Sequence, residues 1–254
     1  MNALFRAFAL FTVLPVRGMP ELTRADAIAA LRWLPLVGAA VGATAGLPMT
    51  AVLHWAPHAA LLGAVLAVVL LVLATRALHL DGLADTVDAL GSHALPARAL
   101  EIMRRSDVGP FGVIAILLVL LVDAAALDSL AGQVWVPVAA LAVAAATGRA
   151  GVLIAARVRV PSARPDGFGA YVAGSVGAAV LGAELAVVLG FGIGMAAAVD
   201  ASLLGWAIAQ LAALAIAVVL QVHTTRRFGG VTGDVFGALI EIGTAATLAG
   251  LALS

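Results

Sequence analysis

The stretch AALLGAVLAVVLLVLATRALHLDGLADTVD, residues 59–88, decides the fold. From Ala59 to Leu78 it carries a single charge, Arg76, and a helix of that length matches the roughly 30 Å hydrocarbon core of a bilayer. The next ten residues then bring three aspartates, Asp81, Asp85 and Asp88. At about 100° per residue, Asp85 lies about 40° and Asp88 about 20° in the other sense from Asp81, so one helical face carries all three. Three like charges within two turns repel one another unless a cation neutralises them, in which case carboxylate oxygens beside a phosphate-bearing substrate suit Mg²⁺ better than zinc, or the stretch is a solvated acidic loop with no ligand.

Working outward, the whole chain of 254 residues is 63% hydrophobic and 11% charged, with a mean hydropathy of +1.13. A soluble domain carries about a quarter charged residues, so lipid is the outer solvent for most of this one. Seven segments have spanning length: Trp33 to Leu53, Ala59 to Leu78, Phe111 to Leu127, Val134 to Ala156, Val176 to Val199, Ser202 to Val222, and Val235 to Leu253. The expected architecture is an all-α polytopic integral membrane bundle, a single catalytic domain over residues 1–254. Gly38, Gly42 and Gly46 repeat the small-residue spacing that packs helices in lipid. Leu4 to Leu14 is apolar but too short to span, and no small-residue cleavage site follows at Val16-Arg17-Gly18-Met19, so it reads as a retained interfacial or re-entrant helix.

All 14 basic residues are arginine, balanced by 14 acids, and there is no cysteine. Thiolate chemistry, Cys-ligated metals, Walker A loops and Schiff bases are thereby excluded. The arginines fall in four groups: before the first span, after the second, at or beyond the end of the fourth, and between the sixth and seventh. Those positions alternate as one membrane face requires. The positive-inside rule makes that face cytoplasmic, with the amino terminus in and the carboxyl terminus out. Asp123, Asp128 and Asp200 are assigned to the opposite side.

Further groups gather on the arginine face. Arg226-Arg227-Phe228-Gly229-Gly230-Val231-Thr232-Gly233-Asp234 joins two arginines to a glycine-rich turn and a helix start, which fits either an anion cradle or a simple turn. Arg104 and Arg105, beside Asp107, suit bidentate phosphate contacts or topological anchoring, and Arg157, Arg159, Arg164 and Asp166 admit the same two readings. Inside the spans, Arg149 with Glu184 or Glu241 forms a structural ion pair or floors a cavity open to the cytoplasm.

Taken together, His79 to Asp88, Ile102 to Gly112, Gly148-Arg149, and Gly229 to Ala238 with Glu241 resemble the cobalamin synthase (adenosylcobinamide-GDP ribazoletransferase) family, over nearly the whole chain from Phe11-Thr12-Val13-Leu14-Pro15 onward. The resemblance implies a bacterial inner-membrane enzyme with a cytoplasmic active site. Its substrates would be adenosylcobinamide-GDP and α-ribazole or its 5′-phosphate, joined with release of GMP and with Mg²⁺ as cofactor. Carried onto this sequence, Asp81, Asp85 and Asp88 are the expected metal ligands and catalytic acids. Arg104, Arg105, Arg149, Arg227, Gly229, Gly230, Thr232, Gly233 and Asp234 are the expected substrate-binding residues. Two positions depart from the family: Arg105-Ser106-Asp107 reverses the usual Asp-Ser-Arg, and Ala89 stands where Gly is common. The lipid bilayer is the expected partner, a homo-oligomer is permitted by exposed glycine-rich faces, and no nucleic acid is expected.

Two rival readings differ in their residues. A CDP-alcohol phosphotransferase shares the Asp-Gly-x-x-Ala opening but needs Arg where Asp85 stands, and two further aspartates well downstream. A small-solute transporter would use Glu184 and Glu241 as coupling acids and carry internal repeats, and no convincing repeat is present.

Overall fold

A computed structural model describes residues 2–14, 21–105 and 107–254. Arg17 and its neighbours from Val16 to Met19, together with Ser106, lie outside the described residues. Among the described residues the chain is helical: α1 (Ala3–Phe11), α2 (Arg24–Leu31), α3 (Leu34–Trp55), a 3-10 turn (Pro57–Ala59), α4 (Ala60–Ala74), α5 (Leu78–Gly91), α6 (Pro96–Ile102), α7 (Pro110–Ser129), α8 (Val136–Ala155), α9 (Gly167–Val172), α10 (Ala178–Ala198), α11 (Leu203–Phe228) and α12 (Gly233–Ala252). Seven of these are long and apolar enough to span a membrane: α3, α4 with the turn before it, α7, α8, α10, α11 and α12. The chain is a multi-pass membrane protein.

Local chemistry sets the helix ends. Proline stands in the first two positions of α3, α6, α7 and α8, where a missing N–H has no partner to lose. Thr23 and Asp26 form a capping box at α2, and Ser202 and Thr232 cap α11 and α12. Two boundaries differ from the hydropathy reading. The second span stops at Ala74 rather than Leu78, because Arg76 and Ala77 both adopt left-handed backbone (φ 55° and 54°) and turn the chain into the separate helix α5. The sixth runs on from Val222 to Phe228, because polar residues do not stop a helix that has left the hydrocarbon; Gly229 at φ 81° does.

Helix α8 is the centre of the bundle, with every residue but Val138 buried. In lipid no hydrophobic force drives helix against helix, so close approach must come from small residues. The expected face of α3 supplies them: a Cβ on Gly42 would collide with the carbonyl of Leu141, and one on Gly46 would lie 2.7 Å from Val138 Cα. Across α8 the seam with α12 is built the same way, a Cβ on Gly148 falling 2.6 Å from Thr244 Oγ1. Outward, leucines such as Leu62, Leu118, Leu121 and Leu211 remain exposed, as a lipid-facing surface requires.

Alternation of the spans collects α1–α2, α5–α6, the α8–α10 connection carrying α9, and the α11–α12 turn at one end. They are tied there by Val13 N–H to Ala74 O (2.8 Å), Ala163 N–H to Val231 O (2.9 Å), and the Arg6–Asp26 ion pair. All described arginines except Arg149 belong to these segments or to the helix ends that meet them. Exposed Trp55 and Trp135 mark the other end, as interfacial aromatics do. Asp123, assigned to the far side, sits inside α7, within the expected third span, and is buried.

Candidate active site

Two helices starting at the arginine end deliver the acids. The acidic stretch is helical as its spacing predicts, so α5 carries Asp81 exposed and Asp85 half-buried, while Asp234 stands in the first turn of α12. The helices meet through glycine. A Cβ on Gly82 would lie 2.8 Å from Asp234 O and 3.2 Å from Gly237 Cα, and one on Gly237 would lie 2.8 Å from His79 O. This crossing joins the two acidic motifs, which stand far apart in sequence. Thr232 accepts from Val235 N–H (3.2 Å) and donates to Asp234 Oδ2 (3.3 Å); Arg164 donates to the same oxygen (3.0 Å) and to Leu100 O (3.1 Å). Asp234 is thereby fixed in direction.

Asp85 records the crowding of charge. Burial, and after it the carboxylates of Asp81, Asp234 and Asp88, push it up to about 7, with Arg164 opposing.

Asp88 has another task. Its Oδ2 accepts from Gly109 N–H (2.7 Å) and its Oδ1 from Gly112 N–H (2.9 Å), so it caps the start of α7 from a different helix. A Cβ on either glycine would come within 2.5 Å of that carboxylate. Asp88 shares the helical face of Asp81 and Asp85 but is buried against α7, and the third acid beside the open pair is Asp234.

Two cavities flank these acids. One, about 160 Å³, is bordered by Asp81, Gly233 and Asp234 and walled by Phe11, Phe168 and Phe236. The other, about 210 Å³, has Asp85, Asp88, Ser92, Arg105 and Asp107 in its wall. Arg105 and Asp107 therefore reach the acidic face.

The other expected substrate residues have different surroundings. One nitrogen of Arg104 donates to both oxygens of Asp166 (2.8 and 3.1 Å), an exposed pair that joins two loops and contributes little stability. Arg227 lies in the last turn of α11 and borders neither cavity. Gly229 is the left-handed residue that ends α11, and its N–H bonds Thr225 O (2.9 Å). Gly230 permits close contact with 161–163, where Val231 N–H bonds Pro161 O (2.9 Å). Both glycines thus have a place in the chain geometry.

Arg149, expected to bind substrate, is buried within the bundle, donates to Ala145 O (3.1 Å), and shares with His79, Asp123 and Glu241 a void of about 10 Å³. Of the two acids expected beside it, Glu241 lines the same void, while Glu184 lines a separate groove of about 530 Å³ between α3 and α10 together with Arg32. His79, buried beside Glu241 (Nδ1 to Oε1 3.7 Å), is held well below the usual imidazole range by burial and then by the Arg149 charge.

Among the described residues no three His, Asp or Glu side chains converge into a ready metal cage. Mg²⁺ rarely uses one; it takes one or two carboxylates, waters and substrate phosphates. Asp81, Asp85 and Asp234 have the carboxylate chemistry that requirement asks for.

Nothing in the sequence sets Arg164 apart from the other loop arginines, or gives a place to Phe11, Phe168 or Phe236. A lone phenylalanine in an apolar chain has no signature. Only folding brings Phe168 of α9 edge-on to Phe11 (5.2 Å between centroids) and to Phe236 (6.3 Å).

Comparison with known proteins matches residues 3–252 to the family model described as cobalamin-5-phosphate synthase. Curated relatives called adenosylcobinamide-GDP ribazoletransferase include one from Frankia casuarinae, 41% identical over 98% of this chain and 93% of the relative. One from a Nocardioides species is 38% identical over 95% and 94%, and one from Stutzerimonas stutzeri 37% identical over 100% and 98%. No solved structure matches.

Proposed function

The chain belongs to the cobalamin-5-phosphate synthase family, and from that premise we propose that it joins adenosylcobinamide-GDP to α-ribazole, or to its 5′-phosphate, and releases GMP. One observation supports placing the reaction: the two acidic motifs meet at the Gly82–Gly237 crossing, between two cavities, in a chain that matches the family from end to end. The phosphotransferase and transporter readings have no comparable support.

A ribose hydroxyl that is free in both α-ribazole and its 5′-phosphate attacks the phosphorus attached to cobinamide, the bond from that phosphorus to the oxygen bridging to GMP breaks, and the hydroxyl proton passes to a carboxylate. Asp85, at about 7, is suited to take it near neutral pH. Arg105, in the wall of the second cavity, faces the donor's phosphates. Arg164 and Thr232 hold Asp234 in one orientation. Carboxylates drawn from Asp81, Asp85 and Asp234 would hold Mg²⁺, which would supply neutralising charge to the diphosphate and the departing GMP. The arginine-rich end faces the cytoplasm across a bacterial inner membrane, a placement that rests on charge asymmetry.

Turnover of both substrates by the purified protein, with and without Mg²⁺, tests this reading. Asp81→Asn and Asp85→Asn each lower kcat by about a hundredfold or more, the scale of losing a proton acceptor or a metal ligand. Metal-independent turnover, or full activity in both variants, would sink the mechanism.

A further inference from the structure

We propose that the cavity of about 160 Å³ beside Asp81 and Asp234 receives the flat, apolar heteroaromatic base of the acceptor riboside, with Phe168 as the wall that recognises it. The proposal rests on the ribazoletransferase reading and deepens it by assigning the two cavities to the two substrates.

The lining decides between bases. Phe11, Leu34, Val152, Phe168, Phe236 and Ile240 make its walls, and among the described residues no hydroxyl, amide or guanidinium side chain lines it. Its polar groups are His79 and the two carboxylates at its border. Guanine presents several donors and acceptors that lose their water on entry and need partners, and this cavity offers few. A dimethylbenzimidazole has little polar edge and gains by burial against aromatic side chains. The three phenylalanines stand in an edge-to-face array, with Phe168 at 83° to Phe11 and 85° to Phe236. Such an array offers a flat guest both ring edges and ring faces.

Position agrees with composition. The reacting hydroxyl of a riboside is one sugar away from its base, so a base seated among the phenylalanines brings that hydroxyl to the carboxylates at the cavity's border. The second cavity, with Ser92, Arg105 and Asp107 in its wall, has the hydrogen-bonding groups that a nucleotide needs. Asp81 borders the first cavity and Asp85 the second, four residues apart on α5, or about 6 Å of rise. Acceptor and donor thus reach adjacent carboxylates one turn apart along a single face of α5.

Phe168 is the best probe because it is only partly buried and sits on the short helix α9, which Arg24 holds through Ala170 O (3.2 Å) and Ala173 O (3.5 Å). Steady-state kinetics of the full chain in phospholipid vesicles, varying α-ribazole and adenosylcobinamide-GDP in turn, separate the two sites. Phe168→Ala raises the KM for α-ribazole about tenfold while the donor KM moves less than about twofold, and Phe168→Leu falls between. An acceptor riboside bearing adenine loses more efficiency against dimethylbenzimidazole in the wild type than in Phe168→Ala. A rise in the donor KM instead would seat guanine in the cavity and overturn the proposal, as would unchanged acceptor KM values in both variants. If Phe168→Ala fails to fold, Phe168→Leu decides. Absence of turnover by the wild type defeats the ribazoletransferase reading itself, whereas wild-type turnover with an indifferent Phe168 defeats only the cavity assignment.

Discussion

At Asp88 two backbone N–H groups from another helix end on one carboxylate, while Asp85, one turn earlier on the same helix, has no cap to serve. Replacing Asp88 by Ala leaves the Gly109 and Gly112 N–H groups without their acceptor, so thermal unfolding in detergent should record a loss of about 1–2 kcal/mol. Asp81→Asn, at an exposed position, should leave that transition nearly unmoved while removing activity. Asp85 adds a dependence on pH. Its folded pKa of about 7 stands above the ordinary 3.8, so the folded state keeps a proton that the unfolded state has released. Its contribution to stability is therefore complete below about pH 4 and is lost as pH rises through about 7. In chelator, the melting temperature should fall across that window, flatten in Asp85→Asn, and recover above pH 7 when Mg²⁺ is added; no recovery argues against cation binding at these acids. The shared face of the three aspartates is legible in their spacing. The separate duty of Asp88 is not, because its partners lie 21 and 24 residues further on.

Among the helices, hydropathy locates all seven spans but misplaces two ends, and for one reason. Hydropathy reports where the bilayer is, whereas helices stop at backbone signals: Arg76–Ala77 after α4 and Gly229 after α11. The Gly38, Gly42 and Gly46 face is legible as a packing seam; that Gly82 and Gly237 form another is not, since each looks like an ordinary glycine in its motif. The crossing of α5 and α12 is sensitive because carbonyl oxygens stand where a methyl group would go. Gly82→Ala should displace the Asp81 and Asp234 carboxylates by a few tenths of an ångström and lower kcat at least about tenfold, for a stability loss of about 1–3 kcal/mol. Gly132→Ala, where nothing lies within 4 Å of the added carbon, serves as the silent comparison.

For the molecule as a whole, the arginine asymmetry and the lipid-facing composition are plain in the sequence, and the charged interior is not. Asp123 falls within the third hydrophobic segment, and nothing in that segment shows that it turns inward. It lies with Arg149, Glu241 and His79 around one small void, so α5, α7, α8 and α12 all bring ionisable groups to the same buried place. Arg149→Met removes the buried cation that shares this void with Glu241 and should destabilise the protein, read as loss of folded material on size exclusion. Adding Glu241→Gln should restore much of it, and failure of that rescue would show that Arg149 acts through packing against Gly38 instead. The α5–α12 crossing also has a consequence in time. During synthesis α5 leaves the ribosome long before α12, and until the later helix enters the bilayer the α5 aspartates have neither Asp234 nor the wall given by Phe236. The newborn chain therefore carries an unfinished reaction centre through most of its translation, and competence arrives in one event, when Gly237 slides in against Gly82.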